Sequence, residues 1–104
     1  MMASKSPKKG LAPMHPGELL REDVLPALGR TKTKIASLLG VSRQTLYDLL
    51  AERQPVTPAM ALRLGKLCGN GPNLWLNLQN TYDLAEASAR LAKEIRNIPT
   101  LDAA

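Results

Sequence analysis

Four consecutive residues, Ser42, Arg43, Gln44 and Thr45, carry side chains able to meet a nucleic acid, each in its own way. Arginine presents paired N–H donors that match the acceptors on a guanine edge, and a glutamine amide both gives and takes a hydrogen bond with adenine. Threonine offers a methyl group to thymine or a hydroxyl to the backbone, and a serine opening a helix leaves that positive end facing a phosphate. Tyr47 lies at helical spacing from Arg43 and Gln44, either on the same outward face or roofing the core. Other chemistry has little to draw on. The 104 residues include one histidine, His15, and one cysteine, Cys68. No Ser/His/Asp or Cys/His set, zinc cluster or internal disulfide is expected, nor is there a glycine-rich phosphate loop. The reading is therefore of a non-enzyme with no catalytic residue, metal or cofactor.

The elements that would position these residues lie in the stretch 32–51, KTKIASLLGVSRQTLYDLLA. Its pattern fits a helix-turn-helix. Ala36 falls where two helices cross most closely, and Gly40 falls at the turn, where a positive φ is cheap for glycine. Ile35, Leu39, Val41, Leu46 and Leu49 take the inward positions. Ser42, Arg43, Gln44, Tyr47, Asp48 and Ala51 form the outward set of the second helix. In this geometry the start of that helix meets base edges in the major groove, making Arg43, Gln44, Thr45 and Tyr47 the base-reading candidates. Lys32, Thr33, Lys34, Ser42 and Arg53 flank the unit as phosphate contacts, which add affinity without reading sequence. Asp48 runs against this picture, since phosphates repel a carboxylate, unless it accepts from a cytosine amino group or orients Arg43.

The charge distribution agrees. Fourteen Lys and Arg against nine Asp and Glu give +5, of which residues 1–10 carry +3 and residues 30–53 carry +3. A basic surplus gathered in one compact stretch suits a polyanion. Nineteen leucines against six valines and isoleucines, and no phenylalanine, point to an all-α core. One small domain is the expected limit of such a chain. No apolar run approaches the roughly 20 residues of a membrane span, and MMASKSPKKG lacks the apolar stretch of a signal peptide. A cytoplasmic protein is the expectation.

Five helices are expected within residues 14–98, between a disordered basic tail at 1–13 and a short tail at 99–104. The first opens at His15-Pro16, with His15 as a cap and not a metal ligand, and is broken by Pro26 and Gly29. The second and third are the helix-turn-helix pair. Thr57-Pro58 opens the fourth, which ends at the Gly69-Asn70-Gly71-Pro72 turn. Asn73 caps a long fifth helix, 73–98, closed by Pro99. Trp75, Leu76 and Leu78 belong to the core. Leu84, Leu91 and Ile98 recur every seven residues with Ser88 and Ile95 between, a weak heptad seam for a dimer or a face buried against the domain itself. A dimer would suit DNA reading, because one helix reads only a few base pairs.

The segments HPGELLRE at 15–22, GVSRQTLYDLL at 40–50, VTPAMALRLGKL at 56–67 and NLWLNLQNTYDL at 73–84 together resemble the HigA-type antitoxin family. The resemblance covers roughly residues 14–90. It implies an Xre/Cro-type, lambda repressor-like DNA-binding domain within a type II toxin–antitoxin system. It also implies a partner, a RelE-like mRNA-cleaving toxin that the antitoxin neutralises, and repression of its own operon as a dimer on double-stranded operator DNA. Such a protein would be nucleoid-associated in a bacterial cytoplasm. Lys32 departs from the glutamine common at that point, which would make its contact a point charge rather than an amide. A stand-alone or phage-like repressor without a toxin is the alternative, and an adaptor docking an acidic partner is disfavoured by the clustering of residues 42–45.

Overall fold

The computed structural model describes residues 13–102, which form helices and connections with no strand among them. The expected basic tail therefore lies outside the described residues, apart from Pro13.

Helix α1 is continuous through Pro16–Leu19, a wide π turn at Leu20–Val24, and Leu25–Leu28. His15 caps it, its Nδ1 accepting from the Gly17 amide at 2.9 Å. Pro26 does not break the run, as the sequence suggested. The widened turn just before it, where the Leu25 amide donates to the Leu20 carbonyl, makes room for a ring that would clash in a regular helix. Gly29, at φ 66°, ends it.

Helices α2 (Lys32–Leu39) and α3 (Arg43–Leu50) follow as the expected pair. Helix α4 (Pro58–Cys68) opens on Thr57, whose hydroxyl accepts from the Met60 amide at 3.2 Å. Helix α5 is Pro72–Arg90, and a short α6 covers Ala92–Arg96. Two expectations fail here. Asn73 is not the cap: Pro72 already takes the first helical position, where its missing N–H costs nothing, behind Gly71. Nor does one helix reach Ile98, because the chain departs from helical geometry at Leu91 (φ −102°, ψ 13°). No residue of the helix beyond Gln79 is fully buried, so its last turns are held straight chiefly by their own hydrogen bonds.

The core joins all the longer helices. Leu20 of α1, Ile35 and Leu39 of α2, Leu46 and Leu49 of α3, Leu64 of α4 and Trp75 of α5 are all buried in one cluster. Each such leucine contributes about 1.5–3 kcal/mol on burial, so α3 is held chiefly by its inward face. Trp75 is wholly buried and its indole N–H reaches Asn70 Oδ1 at 3.1 Å, while Leu76 and Leu78 pack partly buried beside it. Gln79 is the buried polar tie between α5 and the segment before α4. Its Oε1 accepts from the Val56 amide at 2.7 Å and its Nε2 donates to Asp83 at 2.9 Å.

Candidate nucleic-acid interface

The turn between α2 and α3 is made by Gly40 at φ 76°. The Val41 amide reaches back to the Ala36 carbonyl at 3.0 Å and the Gly40 amide to Ser37 at 3.1 Å, closing α2 in a Schellman pattern. Ala36 is buried at the crossing, and Val41 is half-buried. Arg63 on α4 reinforces the turn: its Nη1 donates to the Leu39 carbonyl at 2.7 Å and occupies the space that a side chain on Gly40 would enter.

From this turn α3 emerges with two different faces. Leu46, Leu49 and Leu50 are buried, while Arg43, Gln44 and Tyr47 are exposed, Tyr47 at 41%. Ser42 caps the helix, its Oγ accepting from the Thr45 amide at 3.0 Å. The same hydroxyl donates to Thr45 Oγ1 at 2.9 Å, which leaves the half-buried Thr45 its methyl group and its own O–H for other contacts. Lys32, Thr33 and Lys34 are exposed in the first turn of α2. That turn is capped by Thr31, whose Oγ1 accepts from the Lys34 amide at 3.1 Å; a threonine directly before the helix was the sequence signal for it.

Asp48 does not orient Arg43, the partner considered for it within the protein. It accepts at Oδ1 from Gln44 Nε2 at 2.9 Å and from Arg53 through Nη2 at 2.7 Å and Nε at 3.2 Å. The Arg53 guanidinium and the Gln44 amide together hold the carboxyl below its ordinary range, so it stays ionised. Arg53 is thus not a free cation: two of its nitrogens belong to Asp48.

The end of α3 carries a second set of ties absent from the sequence reading. Arg21 of α1 donates from Nη1 to the Leu50 carbonyl at 2.6 Å and to Glu52 at 3.2 Å. A cation on the last carbonyls of a helix is well placed against its dipole. Glu52 adopts φ 62°, the left-handed region unusual for a residue with a side chain. That turn brings the Arg53 amide back to the Asp48 carbonyl at 2.8 Å. Lys32 in the first turn of α2, Arg43 and Gln44 at the start of α3 and Arg53 beyond its end are all exposed.

The seam residues lie in and just beyond the C-terminal helices. Leu84, Ile95 and Ile98 are 68%, 54% and 63% exposed, so burial against the domain's own core does not account for these three, whereas Leu91 is half-buried. Cys68 is half-buried and its thiol is pushed up by burial, away from reactivity. Among the described residues no group of three or more His, Cys, Asp or Glu is placed to hold a metal ion, and no helix is long and apolar enough to cross a membrane.

No protein-family model matches the sequence. Individual relatives do. The chain is 35% identical over 86 residues to virulence-associated protein I of Dichelobacter nodosus, covering 83% of this chain and 80% of that protein. It is 32% identical over 89 residues to antitoxin HigA-1 of Vibrio cholerae, covering 86% and 84%. Among solved structures, antitoxin HigA of Pseudomonas aeruginosa with the higBA promoter superposes with a TM-score of 0.81 at 36% identity, covering 86% of this chain and 99% of that one. The chain belongs to the HigA antitoxin family. The HigA fold, all-helical with an Xre-type helix-turn-helix, is the fold seen here, and further relatives are described only as HTH-type transcriptional regulators. The HigA segments recognised in the sequence acquire physical reasons in the structure: His15 and Pro16 start α1, Ser42 starts α3, Thr57 and Pro58 start α4, and Trp75 fills the centre.

Proposed function

We propose that this chain is a DNA-binding antitoxin that represses its own operon and neutralises a RelE-like mRNA-cleaving toxin. The observation that carries the DNA half is the exposed start of α3, with Arg43 and Gln44 free of the core on a helix otherwise locked by leucines. The relative solved with promoter DNA, alike in fold and 36% identical, supports it. On this reading α3 enters the major groove. Arg43, Gln44, Thr45 and Tyr47 face base edges, and Lys32, Thr33, Lys34 and Ser42 meet phosphates. Arg53 supports α3 through Asp48 as well as facing the backbone. The protein acts in the bacterial cytoplasm at the operator, as a homodimer joined through Leu84, Leu91, Ile95 and Ile98, a partner surface favoured by the exposure of Leu84, Ile95 and Ile98. The toxin half rests on family membership.

A footprint of the purified chain on its own promoter tests the DNA reading, with protection of two half-sites about one helical turn apart expected. Absence of protection at any salt concentration would refute it. Co-expression with the product of the adjacent reading frame tests the toxin half, with co-purification and rescue of arrested growth expected. The description of several relatives as HTH-type regulators favours one second reading, a repressor with no toxin, and failure of that rescue would select it.

A further inference from the structure

We propose that Asp48 and Arg53 act as positioning residues that fix the Gln44 amide in the orientation that reads adenine. The inference rests on the reading of α3 as the helix that enters the groove, and adds to it a source of base discrimination that touches no base.

A glutamine amide has two unlike ends, and a half-turn about its last bond exchanges acceptor for donor. Adenine offers an acceptor, N7, and a donor, the N6 amino group, so only one of the two orientations pairs with it in a given approach. An amide free in solvent occupies both. Gln44 is not free: its Nε2 donates to Asp48 Oδ1 at 2.9 Å, one helical turn away. A carboxylate can only accept, so the oxygen end of the amide is excluded from that side. With one Nε2 hydrogen given to Asp48, the second hydrogen and Oε1 are the donor and the acceptor left to pair with adenine.

Arg53 makes this arrangement tolerable beside DNA. Its Nη2 and Nε both donate to the same Oδ1, at 2.7 and 3.2 Å, so the pair presents little net charge to a phosphate backbone. Arg53 lies beyond the helix and reaches Asp48 because Glu52, at φ 62°, turns the chain back, and Arg21 holds the Glu52 carboxylate at 3.2 Å. The amide is therefore oriented by a relay that begins on α1.

The experiment measures binding of the full chain to its footprinted operator and to duplexes altered at single base pairs. Gln44→Ala, Asp48→Asn, Arg53→Gln and the double variant Gln44→Ala/Asp48→Asn are compared with the unaltered chain. Asparagine at 48 keeps the size but accepts or donates, which releases the amide to turn over. Asp48→Asn is expected to lower discrimination at the base pair read by Gln44 by about three- to tenfold, a part of what a bidentate pair supplies. Affinity for unrelated DNA should hold or rise, because a negative charge has gone. The double variant should discriminate no worse than Gln44→Ala alone. Arg53→Gln should weaken binding to every duplex, since it leaves the carboxylate uncompensated. Matched thermal melts establish that the variants are folded. Base preference intact in Asp48→Asn but lost in Gln44→Ala would overturn the positioning role and leave DNA binding standing. No change in base preference with Gln44→Ala would overturn it too, with the amide shown not to read. Failure of the unaltered chain to bind any operator would overturn the underlying reading instead.

Discussion

Gly17 of α1 lies directly on the carbonyl oxygen of Leu49 in α3, with no space between them for a side chain. The close approach seats the start of α1 against the end of the helix that carries Arg43 and Gln44, and Arg21 one turn further on completes the contact at Leu50. A methyl group at position 17 meets backbone, which cannot swing aside as a side chain would. Gly17→Ala is expected to cost about 1–3 kcal/mol, the usual range for overpacking a tight contact. Urea unfolding should show a lower midpoint at unchanged slope, and an unaltered midpoint would mean that α1 is free to move away from α3.

His15 should make stability depend on pH. It is buried, its ring meets Tyr82 edge to face at 4.9 Å, and its Nδ1 must stay unprotonated to accept from Gly17. Burial holds its pKa below the ordinary 6.5, with Glu52 and Asp83 pulling weakly upward and Arg21 downward. The unfolded chain therefore takes up a proton more readily than the folded one. Its contribution is full above about 6.5 and is lost as pH falls from there towards the depressed folded value. Thermal melts across that window should show a decline that His15→Asn, which keeps a capping oxygen, largely removes. A parallel decline in both proteins would place the effect elsewhere.

The caps of α3 and α4 offer a paired comparison. Ser42→Ala and Thr57→Ala each remove a side-chain acceptor from a helix start, at about 1 kcal/mol apiece. Under the proposed function only Ser42→Ala also weakens operator binding, because of these two helices only α3 presents its start to DNA. Equal losses of affinity in both variants would show that binding merely follows stability.

Salt should separate the two classes of contact. For a dimer making about 6–10 phosphate contacts, log K falls by about 0.9 for each contact per unit of log salt concentration. Lys32→Ala should flatten that slope by about one per half-site and weaken all duplexes alike, whereas Gln44→Ala should keep the slope and blur one base position. A change of base preference with Lys32→Ala would reverse the two assignments.

The helix-turn-helix was legible because its determinants are local. Ser42 before the second helix, Gly40 between the two and leucines at helical spacing all act within a few residues, and both helices lie where that pattern puts them. The ties that hold the unit in place were not legible. Arg21 to Leu50, Arg63 to Leu39 and Gln79 to Val56 join residues separated by 29, 24 and 23 positions, and nothing in an arginine or glutamine announces which distant carbonyl or amide it will meet. Asp48 remained a puzzle because Arg53 reaches it only through a left-handed turn at Glu52, a residue type that carries no turn signal. The break at Leu91 escaped for the converse reason: the spacing of Leu84, Leu91 and Ile98 continues, but the core that would reward it has ended.

The guanidinium of Arg63 also bears on which residues could replace Gly40. Asparagine is the usual substitute at a left-handed helix end, since its side chain tolerates those dihedrals. Here its β-carbon would fall 2.8 Å from Arg63 Nη1, so the newcomer evicts the arginine from the Leu39 carbonyl even where the backbone would accept it. Gly40→Asn and Arg63→Ala should therefore cost less together than their separate losses summed, as chemical denaturation of the four proteins would measure; strict additivity would show that the arginine simply steps aside. Tolerance at this bend is set by the left-handed backbone and also by a helix some twenty residues downstream, and a survey of substitutions at Gly40 made without regard to position 63 would miss that second contribution.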